Sequence, residues 1–206
     1  MTVVHFRTHD GRPGIQDWDP LTTLKTLEER SYKNYKRRMF ASQRLAARDR
    51  AWNTSLLSFT VSTTIASVGM LTAPGLYGPA GPTLLTCLAV LSLVSSLVVS
   101  GLDYGARSRN LFSNYRRFQR LSVELEHKNS TNVTITEIET VALLNQFNDL
   151  LDECENHTDA DHDRAEKNKL SIPIIKSQLL TFFPYATLVF PVLVIIPFAL
   201  WAMRAQ

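Results

Sequence analysis

The sequence predicts an all-α membrane protein: a transmembrane helical hairpin with long cytosolic helical extensions and a third, C-terminal membrane helix. Three observations carry this. Residues 51–102 are fifty-two consecutive positions without a charged side chain, in a chain that is 20% charged overall. Near its middle that block is interrupted by Ala73-Pro74-Gly75-Leu76-Tyr77-Gly78-Pro79-Ala80-Gly81-Pro82, a run that stops helices. A second uncharged block of twenty-seven residues runs from Ser177 to Met203. Each half of the first block holds about twenty residues and spans roughly 30 Å as a helix, the thickness of a bilayer's hydrocarbon core.

In chain order, residues 1–20 carry Gly11, Pro13, Gly14 and Pro20 and predict an irregular lead-in. They lack the apolar core of a signal peptide, so insertion is expected to be directed by an internal helix. Residues 21–50 predict a basic cytosolic helix. Leu21, Leu24, Leu27, Tyr32, Tyr35 and Met39 recur at helical spacing, while the opposite face carries Lys25, Arg30, Lys33, Lys36, Arg37 and Arg38, followed by Arg44, Arg48 and Arg50. No strong helix breaker separates this stretch from the first span. Its basic charge reads first as a topological signal. Contact with anionic head groups is the functional alternative, with direct nucleic-acid binding disfavoured. Tyr32 and Tyr35 suit packing against a partner helix better than stacking on bases.

Residues 51–102 form the predicted transmembrane hairpin. Its first helix is rich in hydroxyls, with Ser58, Ser62 and Ala66 at intervals of four; Ser92, Ser96 and Ser100 repeat that interval in the second. Such stripes let helices approach closely and hydrogen-bond across the contact, and the second stripe is expected to face hydroxyls of the first span. Packing within the hairpin or between protomers is one reading; a polar path through an oligomer is the other.

Residues 103–176 predict a cytosolic helical hairpin with an acidic, histidine-containing turn. Leu111, Tyr115, Phe118, Leu121 and Leu125 follow a helical repeat, with Arg107, Arg109, Arg116, Arg117 and Arg120 on other faces. Thr134-Ile135-Thr136-Glu137 has the spacing of a capping box, and Ile138, Val141, Leu144, Phe147, Leu150 and Leu151 carry the next helix. The two are expected to pair antiparallel, basic beside acidic. Cys154 to Asp163 concentrates acids and histidines. An EF-hand is excluded by Arg164 and Leu170 where glycine and glutamate are needed. Cys154, His157 and His162 are too few to complete a zinc site within one chain, leaving only a metal shared between protomers. The simplest expectation is a solvated turn whose acids pair with nearby arginines. No constellation suggests an enzyme, and no metal or cofactor is expected.

Residues 177–206 form the final hydrophobic membrane segment. Pro184, Pro191 and Pro197 require it to kink or unwind locally, so a re-entrant course is the alternative to spanning. Charge sets the orientation. Residues 1–50 hold eleven Lys/Arg against six Asp/Glu, and residues 104–128 hold six against two, whereas the 73–82 turn holds none. The basic flanks, among them Arg37, Arg38, Arg116 and Arg117, are therefore expected in the cytoplasm and the turn outside.

The order of a basic helix, a tight membrane hairpin, an amphipathic extension and a Glu155-Asn156-His157 element followed by Asp161 resembles the SLATT family of bacterial effector domains, most closely its fifth subgroup. The resemblance covers roughly residues 20–170. It implies an effector of an anti-phage or other conflict system in the bacterial inner membrane, oligomerising to perforate or depolarise it when a partner sensor is triggered. Membrane lipids, further copies of the chain, and a nucleotide-second-messenger synthase, nucleotide sensor or reverse transcriptase encoded nearby are the partners it implies. A non-conducting anchor for a cytosolic nucleotide-processing partner is the alternative. The third hydrophobic segment departs from a two-span description.

Overall fold

The computed structural model describes residues 20–131, 135–153, 155, 158–166 and 171–204. Among them the elements are seven helical segments: α1 (Pro20–Thr72), α2 (Gly81–Leu102), α3 (Tyr104–Ser130), α4 (Glu137–Asp152), α5 (Asp159–Glu166), α6 (Ile172–Ala186) and α7 (Val189–Arg204). No strand occurs among the described residues. Asp103 alone separates α2 from α3, and Thr187-Leu188 separate α6 from α7, so the segments form five rods. Three of these, Leu21–Thr72, Gly81–Ser130 and Ile172–Arg204, contain stretches long and apolar enough to cross a membrane.

Helix α1 is 53 residues long, about 80 Å at the usual rise. No proline or glycine falls between Leu21 and Val68 to stop it. Its hydroxyl residues are poor helix formers in water, because they compete for backbone partners. Here that competition is settled inside the helix. Thr60, Ser62, Thr63, Thr64 and Ser67 each donate to the carbonyl four residues earlier. In lipid that bond leaves no polar hydrogen unsatisfied.

Between α1 and α2 the chain reverses through successive four-residue turns, the N–H groups of Leu76, Gly78 and Gly81 donating to the carbonyls of Ala73, Gly75 and Gly78. Gly78 sits at φ +72°, a conformation that a side chain would oppose. At the other end of α2, Asp103 adopts φ 44° and ψ 43°. Its backbone N–H caps α2 through the Ser100 carbonyl, and its carboxylate accepts the Ala106 N–H at the start of α3. One residue thus ends one helix and begins the next.

The chain divides by contact into two units, residues 1–35 with 116–153, and residues 36–115 with 154–206. In the first, Leu24 and Leu27 of α1 pack with Phe118, Leu121 and Leu125 of α3 and with Leu143, Phe147 and Leu150 of α4. Phe118 and Phe147 meet edge to face, 5.7 Å between centroids. Arg117 pairs with Glu153, and Lys128 lies 4.0 Å from Glu139, so α3 and α4 run antiparallel, as their apolar repeats predict. Tyr35 lines this core, whereas Tyr32 is exposed. The capping box forms two residues later than the sequence suggests. Thr136, not Thr134, is the N-cap, and it exchanges hydrogen bonds with Glu139. Both quartets carry the motif; the helix that starts from the later one buries Thr140, Leu143, Phe147 and Leu150.

In the second unit, three findings refine the expectations. The acidic segment is not a solvated turn: Asp159–Glu166 is helical, and Asp161 and Asp163 are buried. The C-terminal helix begins at Ile172, five residues before the uncharged block, and carries Lys176 in its first turns. Its break lies at Thr187-Leu188, because Pro191 has no N–H to offer the Thr187 carbonyl. That carbonyl accepts from Phe190 instead, and the Thr187 hydroxyl donates to the Pro184 carbonyl at 2.6 Å.

Phe118 is fully buried, so Phe118→Ala should cost about 3–5 kcal/mol of stability, read by thermal unfolding of the detergent-solubilised protein. A second outcome concerns pH. The Glu139 carboxyl is held below its usual range by the Thr136 backbone N–H, then by the Thr136 hydroxyl and Lys128. A lowered folded pKa contributes stability above the unfolded value of about 4.3, lost as pH falls through the folded value. Thr136→Ala should therefore lower the unfolding temperature at pH 7, and the difference should narrow below about pH 4.

Candidate functional site

The residues that gather chemistry in the second unit lie along one line of α1. Arg37, Arg44, Arg48, Ala51, Ser55, Ser62, Ala66 and Gly69 are separated by seven, four, three, four, seven, four and three positions. Those intervals keep every member on one face of a helix. The line is basic before the uncharged block and made of small residues within it. Helices α5, α6 and α7 all lie against it.

The basic part is met by acids of α5. Arg37 pairs with Glu166, a contact that leaves both side chains partly exposed. The Arg44 guanidinium forks onto Asp161, Nε to Oδ1 at 3.0 Å and Nη2 to Oδ2 at 2.8 Å. Asp161 also accepts the Thr158 N–H at 3.1 Å and the Thr158 hydroxyl at 2.8 Å. It therefore holds the start of its own helix while it holds α1. This pair is the buried centre of the contact, with side chains 13% and 3% exposed. Removing one partner would strand the other charge, a loss of about 3–5 kcal/mol in comparable buried pairs. Arg164 of α5 lies over the Phe40 ring, 5.2 Å from its centroid.

Arg48 continues the line but meets hydroxyls rather than acids. Its Nε donates to the Thr181 hydroxyl and its Nη2 to the Ser177 carbonyl, both at 3.3 Å. Burial, and secondarily the charge of Arg44, lowers its pKa from the usual arginine value. On another side of α1 lies α3. Ser42 and Ser108 exchange hydrogen bonds, each hydroxyl donating to the other's carbonyl at 3.1 and 3.0 Å. Nearby, Arg38 donates to the Asn114 side chain at 2.5 Å, and Ala41, Leu45 and Leu111 pack together.

Within the uncharged block the line receives α6 and α7. The Ser55 and Thr187 hydroxyls bond each other. Ala66 packs with Leu85 of α2 and Val194 of α7. At Gly69 the approach is closest: a Cβ there would lie 2.6 Å from the Phe198 ring. Tyr77, in the turn, donates its hydroxyl to the Val194 carbonyl at 2.6 Å. These partners advance together, 48 with 177 and 181, 55 with 187, 66 with 194 and 69 with 198. The third apolar segment therefore runs parallel to α1.

The sequence-selected residues divide accordingly. Ser62 is buried on the line, donating to the Ser58 carbonyl, and Ser58 is half-buried beside it. Of the second stripe, only Ser92 meets a hydroxyl of the first span, Thr60 at 3.3 Å; Ser96 and Ser100 are exposed. The contact face of α2 is rotated toward Leu85, Leu88, Ser92, Ser95 and Val99, because close packing follows a seven-residue repeat while intervals of four drift around the helix. Arg37 and Arg38 face protein partners, Arg117 pairs with Glu153, and Arg116 is exposed. Glu155 accepts a forked bond from Arg107, and Asp161 holds Arg44. Asn156, His157 and Cys154 lie outside the described residues. Among the described residues no group of His, Cys, Asp and Glu has a metal-binding arrangement. Composition alone gave no prominence to Arg44, Arg48 or Thr187; the unequal spacing that joins Arg37 to Gly69 is the signal that marks the line.

Gly69→Val should push Phe198 away and loosen α7. With Cys87 and Cys154 replaced by serine, cysteines at Ala66 and Val194 should cross-link in the parent and much less in the Gly69→Val variant.

No curated protein and no solved structure matches this chain. Residues 21–203 do match a described family, through the charged amphipathic helices and all three apolar segments. On that match the chain belongs to the SMODS and SLOG-associating 2TM effector domain family 5.

Proposed function

We propose that this protein is a bacterial inner-membrane effector that oligomerises and dissipates the membrane potential when a partner sensor is triggered. The observation that carries this reading is a second face of α1. Asn53, Thr60, Thr64 and Ser67, spaced seven, four and three apart, are exposed, while the opposite face is filled by α6 and α7. Thr60, Thr64 and Ser67 tie their hydroxyls to the helix's own carbonyls. That bond suits a lipid-facing position in one copy, and the same oxygens can accept water where several copies surround a channel. The lining thus shifts by about half a turn from the stripe of Ser58 and Ser62.

The family's name points to SMODS and SLOG proteins as the partners, and their nucleotide chemistry fits a sensor that signals to the membrane. The basic flank of α1 favours a cytoplasmic N-terminal side, which puts the 73–80 turn outside. With the third segment parallel to α1, Arg204 then lies on the outer side. The self-bonded hydroxyls also suit a non-conducting anchor that holds a cytosolic partner at the membrane.

A voltage-sensitive dye in cells expressing the complete system separates the two. The expected outcome is loss of potential on triggering, abolished by a Thr60→Leu, Thr64→Leu double variant that still forms cross-linked oligomers. An intact potential during a working response would overturn the pore and leave the anchor. In the same cells, a thiol reagent that cannot cross the membrane should label a cysteine at Gly75 but not one at Asn129.

A further inference from the structure

We propose that α5 is an electrostatic latch: its Asp161–Arg44 and Glu166–Arg37 pairs hold the third apolar segment on the α1 line, and opening them is the step that activates the effector. The reading of what is activated rests on the function proposed above.

Four features of the contact point this way. First, Asp161, Arg164 and Glu166 of α5 all meet α1 through charge. The eight residues of α5 are Asp-Ala-Asp-His-Asp-Arg-Ala-Glu, and Ala160 is its one buried apolar side chain. Second, a helix of eight residues is far below the length at which isolated helices persist in water. Undocked α5 would lose its helix as well as its contacts, so docked and undocked forms are discrete states. Asp161 ties the two together, because one carboxylate caps α5 at Thr158 and clamps Arg44.

Third, the latch sits where it has leverage. The clamped arginines belong to the same unbroken helix that enters the uncharged block at Ala51, about 20 Å from Arg37 along the axis. Helix α5 itself packs against α6, the start of the third segment. Fourth, the held segment covers a surface that a second copy can use. Ser55, Ala66 and Gly69 form a small-residue face of the kind on which membrane helices associate, and Thr187, Val194 and Phe198 occupy it here. Opening would bare that face and free the guanidinia of Arg37 and Arg44 beside the membrane surface.

The test uses the full-length protein in liposomes loaded with a self-quenching dye, and in cells with a potential dye, both without trigger. Asp161→Asn keeps shape and removes the charge. It should raise dye release at least tenfold over the parent, and Glu166→Gln, on the more exposed pair, should raise it less. The exchange Arg44→Asp with Asp161→Arg, which restores the pair but not the Thr158 cap, should bring dye release part of the way back to the parent level. A cleavable cross-link between cysteines at Ala66 and Val194, with Cys87 and Cys154 replaced by serine, should silence Asp161→Asn until it is cleaved. A purely structural pair predicts the opposite sign, an Asp161→Asn protein that is quiet untriggered and weak when triggered; that result overturns the latch. So does an Asp161→Asn protein that leaks while cross-linked. If the triggered parent leaves the potential intact, the pore reading fails on its own. The latch is then judged by cross-linking yield: a fall in Asp161→Asn supports it, and an unchanged yield overturns it.

Discussion

The placing of α5, α6 and α7 depends on one face of one uninterrupted helix. The first helix carries arginines and small residues on a single line, and it changes from the one to the other where the chain enters its uncharged block. Water and lipid make different demands on a contact surface. Outside the membrane, charge-assisted hydrogen bonds give a helix contact its specificity, and Arg44 with Asp161 supplies them at the buried centre. Inside, lipid is as apolar as leucine and gives no hydrophobic drive between helices, so association relies on close approach. Ser55, Ala66 and Gly69 provide that approach. Helices α5 to α7 follow the line across both solvents.

Much of this was legible in the sequence. The absence of charge between Ala51 and Leu102 marks the hairpin, because a charged side chain in hydrocarbon is too costly to appear by chance. Leu121, Leu125, Leu143, Phe147 and Leu150 announce the paired amphipathic helices α3 and α4 through their spacing. What escaped is what depends on a distant partner. The cap lies at Thr136 rather than Thr134, a choice between two overlapping quartets that the motif itself cannot express. The acidic segment reads as a solvated turn whose acids pair with nearby arginines, since Asp and Glu are rarely buried; only the position of Arg44 reveals that the pair with Asp161 is buried. Ser92, Ser96 and Ser100 share an interval of four, yet only the first touches α1, because a stripe with that interval winds away from a straight contact.

The family's description speaks of two membrane helices, and this chain offers three apolar stretches, all within the region that matches. The third is built differently from the hairpin. Pro184, Pro191 and Pro197 make it broken and locally unwound, with freed carbonyls taken up by Phe190 and by the Thr187 hydroxyl. Such a segment is stabilised in a membrane only where neighbours satisfy its backbone. The Tyr77 hydroxyl adds a bond to the Val194 carbonyl, so the turn and the third segment stabilise each other.

Asp103 has a consequence for how motion passes between α2 and α3. Two rods joined by one residue share a joint with two torsions, and this joint rests in the left-handed region, where a side chain costs about 1 kcal/mol or more. A glycine would make the joint slack and a helical residue would fuse the rods into one. Aspartate does neither: its carboxylate ties the far rod while its amide ties the near one. The outcome is a joint whose bearing is set from both sides by a single residue.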